Sequence, residues 1–118
     1  MPTHFSSPRF LQLAFYITKS HSERSFRAHF GGPSIAVEIL YHRIVYACSP
    51  LPKGWGLHQL LLTLFYLKCG GTHDLISSRF HISWDTFEKW LWVTLVLIDT
   101  SLPNVFIYFY LYQIKFLF

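Results

Sequence analysis

These 118 residues can build one domain around a single modest core, which excludes a multi-domain enzyme. Hydrophobic residues make up 52% of the chain and charged ones only 14%, a balance that favours association over free solubility. The net charge of +4 is uneven: residues 1–53 hold six Lys/Arg and two Asp/Glu, while residues 54–102 hold three and four, which excludes a uniformly basic nucleic-acid surface in the second half.

Residues 1–21 read as a leader. Arg9 precedes an apolar stretch, Phe10 to Ile17, broken by Gln12. The stretch lacks the longer apolar run and the small-residue cleavage site of a signal peptide, so it is expected to be poorly ordered or to form a short docking helix. From residue 22 the helix signals are regular. Ser22 is an N-cap, Glu23 is an acidic first-turn residue, Phe26 and Phe30 stand four apart, and Gly31 is a stop. Pro33 stands where a first helical residue would be, and Ala36, Leu40 and Ile44 with Ile39 and Tyr46 give the next helix an apolar face. Pro50, Pro52, Gly54 and Gly56 then allow no regular element, only a linker or an ordered loop.

Leu57, Leu60, Leu61, Leu64, Phe65 and the stem of Lys68 keep the 3.6-residue period, and Gly70 and Gly71 end that helix. Thr72 caps a short helix carrying Asp74, Leu75, Ile76 and Phe80. His81, Ile82 and Ser83 form a turn, and Ser83 caps a last helix with a stripe of Trp84, Phe87, Leu91, Leu95 and Ile98, Thr94 being its one polar member. A short helix, a three-residue turn and a longer helix, with another to pack on, make a helix-turn-helix arrangement. The expected fold is all-α, a small helical bundle over residues 22–102. Its core is Phe26, Phe30, Leu40, Leu61, Leu64, Phe65, Ile76, Phe80, Phe87, Leu91 and Leu95.

Two cysteines, Cys48 and Cys69, are too few for a disulfide framework and suit a reducing compartment. Cys69 and His73 have the spacing of one ligand pair, but a closed zinc site needs two, and Cys48 has only distant His42 or His58 to offer. Neither metal nor cofactor is expected. The six acidic residues, Glu23, Glu38, Asp74, Asp85, Glu88 and Asp99, all fall at helix ends or on helix faces, and no phosphate loop or nucleophile–base spacing is present, so no catalysis is expected.

Three segments together carry a family likeness. Phe26, Arg27, Phe30 and Gly31 lead into a helix; Pro52, Lys53 and Gly54 lead into a Leu-rich helix ending in Leu67 and Lys68; Thr86, Phe87, Lys89 and Trp90 belong to the last helix. In this order and spacing, residues 24–102 resemble the region ahead of the catalytic domain in Harbinger-like DDE transposases. The resemblance implies a mobile-element-derived fragment with a helix-turn-helix unit. It lacks the domain whose three carboxylates hold two metal ions for strand transfer. Its implied partners are DNA, bound weakly, or another transposase-derived chain, and its implied location is the nucleus.

Phosphate contacts would fall to Arg24, Arg27, Arg43, Lys53, Lys68, Arg79 and Lys89, provided they converge beside the last helix. The outward face of that helix, Asp85, Thr86, Glu88, Lys89 and Trp92, has more negative than positive charge. A competing use of the same unit is protein interaction through Trp55, Trp84, Trp90 and Trp92.

Residues 103–118 form a hydrophobic tail. After Pro103 only Phe, Ile, Tyr, Leu, Lys, Gln, Val and Asn occur, residue types with mostly A/T-rich codons, as translated non-coding sequence would give. The alternative is a small membrane-associated hydrophobic protein. Trp90–Ile98 and Val105–Phe118 are apolar runs of nine and fourteen residues, separated by Asp99, Pro103 and Asn104. A span needs about 20 apolar residues in a row, and burying Asp99 to join the runs costs about 2.5–3.5 kcal/mol.

Overall fold

A computed structural model describes residues 8–19 and 22–102, and among these every regular element is helical. In chain order they are α1 (Pro8–Thr18), α2 (Glu23–Phe30), α3 (Ser34–Ala47), α4 (Leu57–Cys69), α5 (His73–Phe80) and α6 (Trp84–Ser101). The all-α bundle read from the pattern is therefore the fold. The tail assignment for residues 103–118 lies outside the described residues, as do residues 1–7 of the leader.

Local chemistry sets most helix ends. Ser22, Thr72 and Ser83 each accept a hydrogen bond from the backbone N–H three residues on, at 3.0, 3.2 and 3.3 Å, satisfying donors that the first turn leaves open. Gly31 ends α2 at φ 84°, a left-handed position that glycine adopts without a Cβ clash. Pro33 falls one place earlier than expected, as the cap of α3 and not its first helical residue. The carboxylate of Glu23 takes over the capping there, accepting from the Ser34 N–H at 2.9 Å and the Ser34 hydroxyl at 2.7 Å. That one side chain links the start of α2 to the start of α3.

Helix α4 is the centre of the bundle. Every residue from Leu60 to Phe65 is buried, and the helix packs against α1, α2 and α6. α3 lies across α6 and touches α2, while α5 rests on α6. Aromatic rings run through this core from one helix to the next: Phe10 to Phe26 at 5.8 Å between centroids, Phe26 to Phe30 at 4.6 Å, Phe30 to Phe65 at 6.5 Å and Phe65 to Phe80 at 5.2 Å. Tilted and edge-on pairs at such spacings add about 0.5–1.5 kcal/mol each to what their area contributes. Phe10 and Ala14 of α1 are buried in the same core, so residues 8–18 of the leader are a docking helix.

Two packing assignments differ from the periodicity, in α6 and α3, and the loop between α3 and α4 takes the ordered form of the two expected for it. In α6 the inward residues are Phe87, Thr94, Leu97, Ile98 and Ser101, with Leu91 and Leu95 only half-buried. Thr94, the polar member of the expected stripe, is 0% exposed and accepts the indole N–H of Trp55 at 2.9 Å, while Leu97 and Ser101 join the inward face. In α3 the buried set is Ser34, Val37, Leu40 and Ile44, while Ile39 and Tyr46 face solvent, because α6 and α2 cover only one narrow side of that helix. The Pro- and Gly-rich loop is ordered and feeds the core: Trp55 is 7% exposed and stacks on Tyr41 at 5.9 Å.

The Trp55–Thr94 bond can be tested directly. Thr94→Val keeps the shape but strands a buried indole N–H, and the expected loss is about 1–3 kcal/mol of stability. The double change Trp55→Phe with Thr94→Val should lose less than the two single losses added together. Urea denaturation followed by circular dichroism measures both; a Thr94→Val chain as stable as the original contradicts the bond.

Candidate functional site

The segment expected to form a helix-turn-helix runs from α5 through His81–Ser83 into α6. His81 caps α5 in a left-handed conformation at φ 57°, which turns the chain sharply toward Ser83. At the start of the unit the His73 imidazole stacks on the Trp84 indole at 3.7 Å with an 11° interplanar angle, joining the first turns of α5 and α6. Trp84 and Phe87 also meet Tyr66 of α4, at 5.9 and 5.4 Å. The unit is thus seated on the central helix.

The seven cations proposed for phosphate contact do not share one helix. Arg24 and Arg27 are exposed on α2, Arg43 on α3, Lys53 in the loop, Arg79 on α5 and Lys89 on α6. Lys68 is 8% exposed, its stem packed into the core as the period of α4 requires. Lys89 lies 5.2 Å over the ring of Trp90, and the same indole would lie 3.4 Å from a Cβ placed on Gly54, so the Pro52–Gly54 loop and the Lys89 region meet at Trp90. The Arg79 guanidinium sits 5.1 Å over Phe65, whose ring also stacks with His29 at 5.7 Å. Both Arg79 and Lys68 act electrostatically on the Cys69 thiol. Two local groups result, Lys53 with Lys89 and Lys68 with Arg79, while Arg43 borders a separate groove beside Ile39 and Tyr46.

The tryptophan surface considered from the pattern is not a surface. Trp55 is core, Trp84 and Trp90 are half-buried, and Trp92, at 62%, is the exposed member. Tryptophan is large and apolar enough that packing claims it first.

A cleft of about 770 Å³ opens between the end of α1, the first turn of α4 and the end of α5. Lys19, His58, Ser78, Arg79 and His81 give it polar walls over an apolar lining that includes Ile17 and Phe80. Of these only Arg79 stood out in the sequence. Lys19, His58 and His81 lie on segments far apart in the chain and formed no motif.

Burial holds the His58 imidazole below its ordinary value of 6.5, and raises both thiols above their usual range; at Cys69 the charges of Lys68 and Arg79 partly oppose the rise. No group of three or more His, Cys, Asp or Glu side chains suited to a metal exists among the described residues. No described helix is long and apolar enough to cross a membrane. Comparison with protein-family models, curated proteins and solved structures gives no match.

The His58 shift has a definite sign. An unfolded chain takes up a proton on this imidazole at higher pH than the folded chain does, so the stability His58 contributes is present above 6.5 and is lost as pH falls through the folded value. Melting temperature should therefore drop more between about pH 7.5 and 5.5 in the original chain than in His58→Gln. Parallel melting curves for the two would contradict the burial of this imidazole.

Proposed function

We propose that the chain is a mobile-element-derived helical unit, resembling the region ahead of the catalytic domain of Harbinger-like transposases, that binds DNA weakly and without strong sequence choice. The observation that carries this reading is that residues of all three resemblance segments pack into one helical unit around α4. Phe26 and Phe30 lie in the core beside Phe65, Gly31 supplies the left-handed helix end, and Phe87 is buried against Tyr66. Gly54 lies against Trp90. Segments 21 to 36 residues apart in the chain thus serve one helical unit, as a shared ancestral domain would require. The α5–turn–α6 geometry supports a helix-turn-helix, with α6 in the position of the longer helix.

Binding on this reading is electrostatic. The exposed face of α6 carries Asp85 and Glu88 against Lys89, so α6 alone would repel a phosphate backbone as much as attract it. Affinity must come from Arg24, Arg27, Lys53, Arg79 and Lys89 around the unit's flanks, with Arg43 and Lys68 contributing less because of separation and burial. The carboxylates are scattered over α2, α3, α5 and α6, which supports a non-enzymatic role.

Fluorescence anisotropy with a short duplex tests the reading. Dissociation constants of about 10⁻⁴–10⁻⁶ M at physiological salt, weakening steeply as salt rises and nearly equal for unrelated duplexes, are expected. Absence of binding even at low salt would overturn the DNA reading, and Mg²⁺-dependent cleavage of the duplex would overturn the non-enzymatic one.

A further inference from the structure

We propose that the cleft formed by Lys19, His58, Ser78, Arg79 and His81 is a binding site for a phosphate group. The residues are brought together from three helices, and no carboxylate lines the cleft among the described residues. Asp74, in the first turn of α5 beside the cleft residue Leu75 and four residues before Ser78, is not itself among the lining groups, but its carboxylate is the nearest one to them on this helix.

Helix ends must be counted before the cleft is called positive. The C-termini of α1 and α5 face it, each worth about half a negative charge, and the N-terminus of α4 returns about half a positive one. The ammonium of Lys19 and the guanidinium of Arg79 bring two full positive charges. The two cations exceed what the helix ends neutralise, and Asp74 near Leu75 reduces that excess, so the cleft keeps a small net positive charge for an anion. Ser78 adds a hydroxyl donor, and a neutral imidazole still offers one N–H. A phosphate, with several acceptor oxygens and no donor when fully ionised, matches walls made of donors.

Backbone geometry adds a second observation. Lys19 at φ 56° and His81 at φ 57° are the two non-glycine residues at positive φ among the described residues, and both border this cleft. Each ends a helix in the left-handed position, His81 after α5 and Lys19 after α1, and so sets where its side chain leaves the helix.

The phosphate could belong to a nucleic-acid backbone or be free, and the test separates the two. The full-length chain is titrated with inorganic phosphate at constant ionic strength, exchanging against chloride, while backbone amide shifts are followed by nuclear magnetic resonance. A saturable shift confined to residues around 17–19, 58 and 78–81, weakened in both Lys19→Gln and Arg79→Gln, supports the site. Duplex binding is then measured for the same variants and for Arg43→Gln as a control on another face. If the backbone is the source, Lys19→Gln and Arg79→Gln each lower the slope of log affinity against log salt by about one unit and Arg43→Gln does so less. If only free phosphate is bound, the duplex slopes are unchanged while the amide shifts persist, and the site stands apart from the DNA reading. Lys19 is exposed beyond the end of α1, so its variant remains informative if Arg79→Gln disturbs Phe65. Duplex binding without any phosphate-dependent shift, and with slopes equal in all variants, overturns the site and leaves the DNA reading intact; no shift and no duplex binding overturns both.

Discussion

The structure depends on α4 being buried on all sides. Six consecutive residues, Leu60 to Phe65, have no solvent-facing member, and a helix that is apolar all round can exist only if other helices enclose it. About 9 Å of helix must then be surrounded by α1, α2 and α6, which leaves α3 and α5 to cover the outside of α2 and α6. Thr63 is tolerated inside because its hydroxyl donates to the Gln59 carbonyl at 2.9 Å, within the same helix. Lys68 is tolerated because its long stem is apolar. Replacing a fully buried Leu of this run by Ala would remove about 2–5 kcal/mol, a large fraction of what a small domain has.

Much of this was legible because the local signals are strong and agree with one another. Ser22, Thr72 and Ser83 announced three helix starts by side-chain chemistry that acts over three residues, and the structure forms all three caps. Most of the core list, from Phe26 to Phe87, is buried for the same reason: aromatic and Leu side chains at helical spacing have no better place. The errors fall where a distant partner decides the outcome. The spacing within α6 placed Thr94 on the inward stripe, but did not show that Leu97 and Ser101 would be buried while Leu91 and Leu95 stay half-buried; that depends on what packs beside the helix, including Trp55, 39 residues before Thr94, which donates to its hydroxyl. The exposure of Ile39 and Tyr46 likewise follows from how much of α3 its neighbours cover, which periodicity within α3 does not encode.

The candidate site was less legible for the same physical reason. Cations can be counted in a sequence, but their usefulness depends on convergence, and here they separate into small groups on different helices. The cleft assembles Lys19, His58 and Arg79 from segments 21 to 60 residues apart, with a left-handed backbone at two of its borders. Neither feature leaves a trace in local pattern. The residues of the resemblance gather mainly at packing positions such as Phe30, Gly54 and Trp90, so they carry more information about the fold than about the surface proposed to meet DNA.

Amide hydrogen exchange tests the central role of α4 most directly, because it reads how each helix opens relative to the whole. If α4 is the enclosed centre, its amides from Leu60 to Phe65 exchange only through global unfolding and are the slowest in the chain, with α1 and α5 opening earlier. Exchange in α4 as fast as in α1 or α5 would contradict the account, because it would mean that the central helix opens without the others letting go.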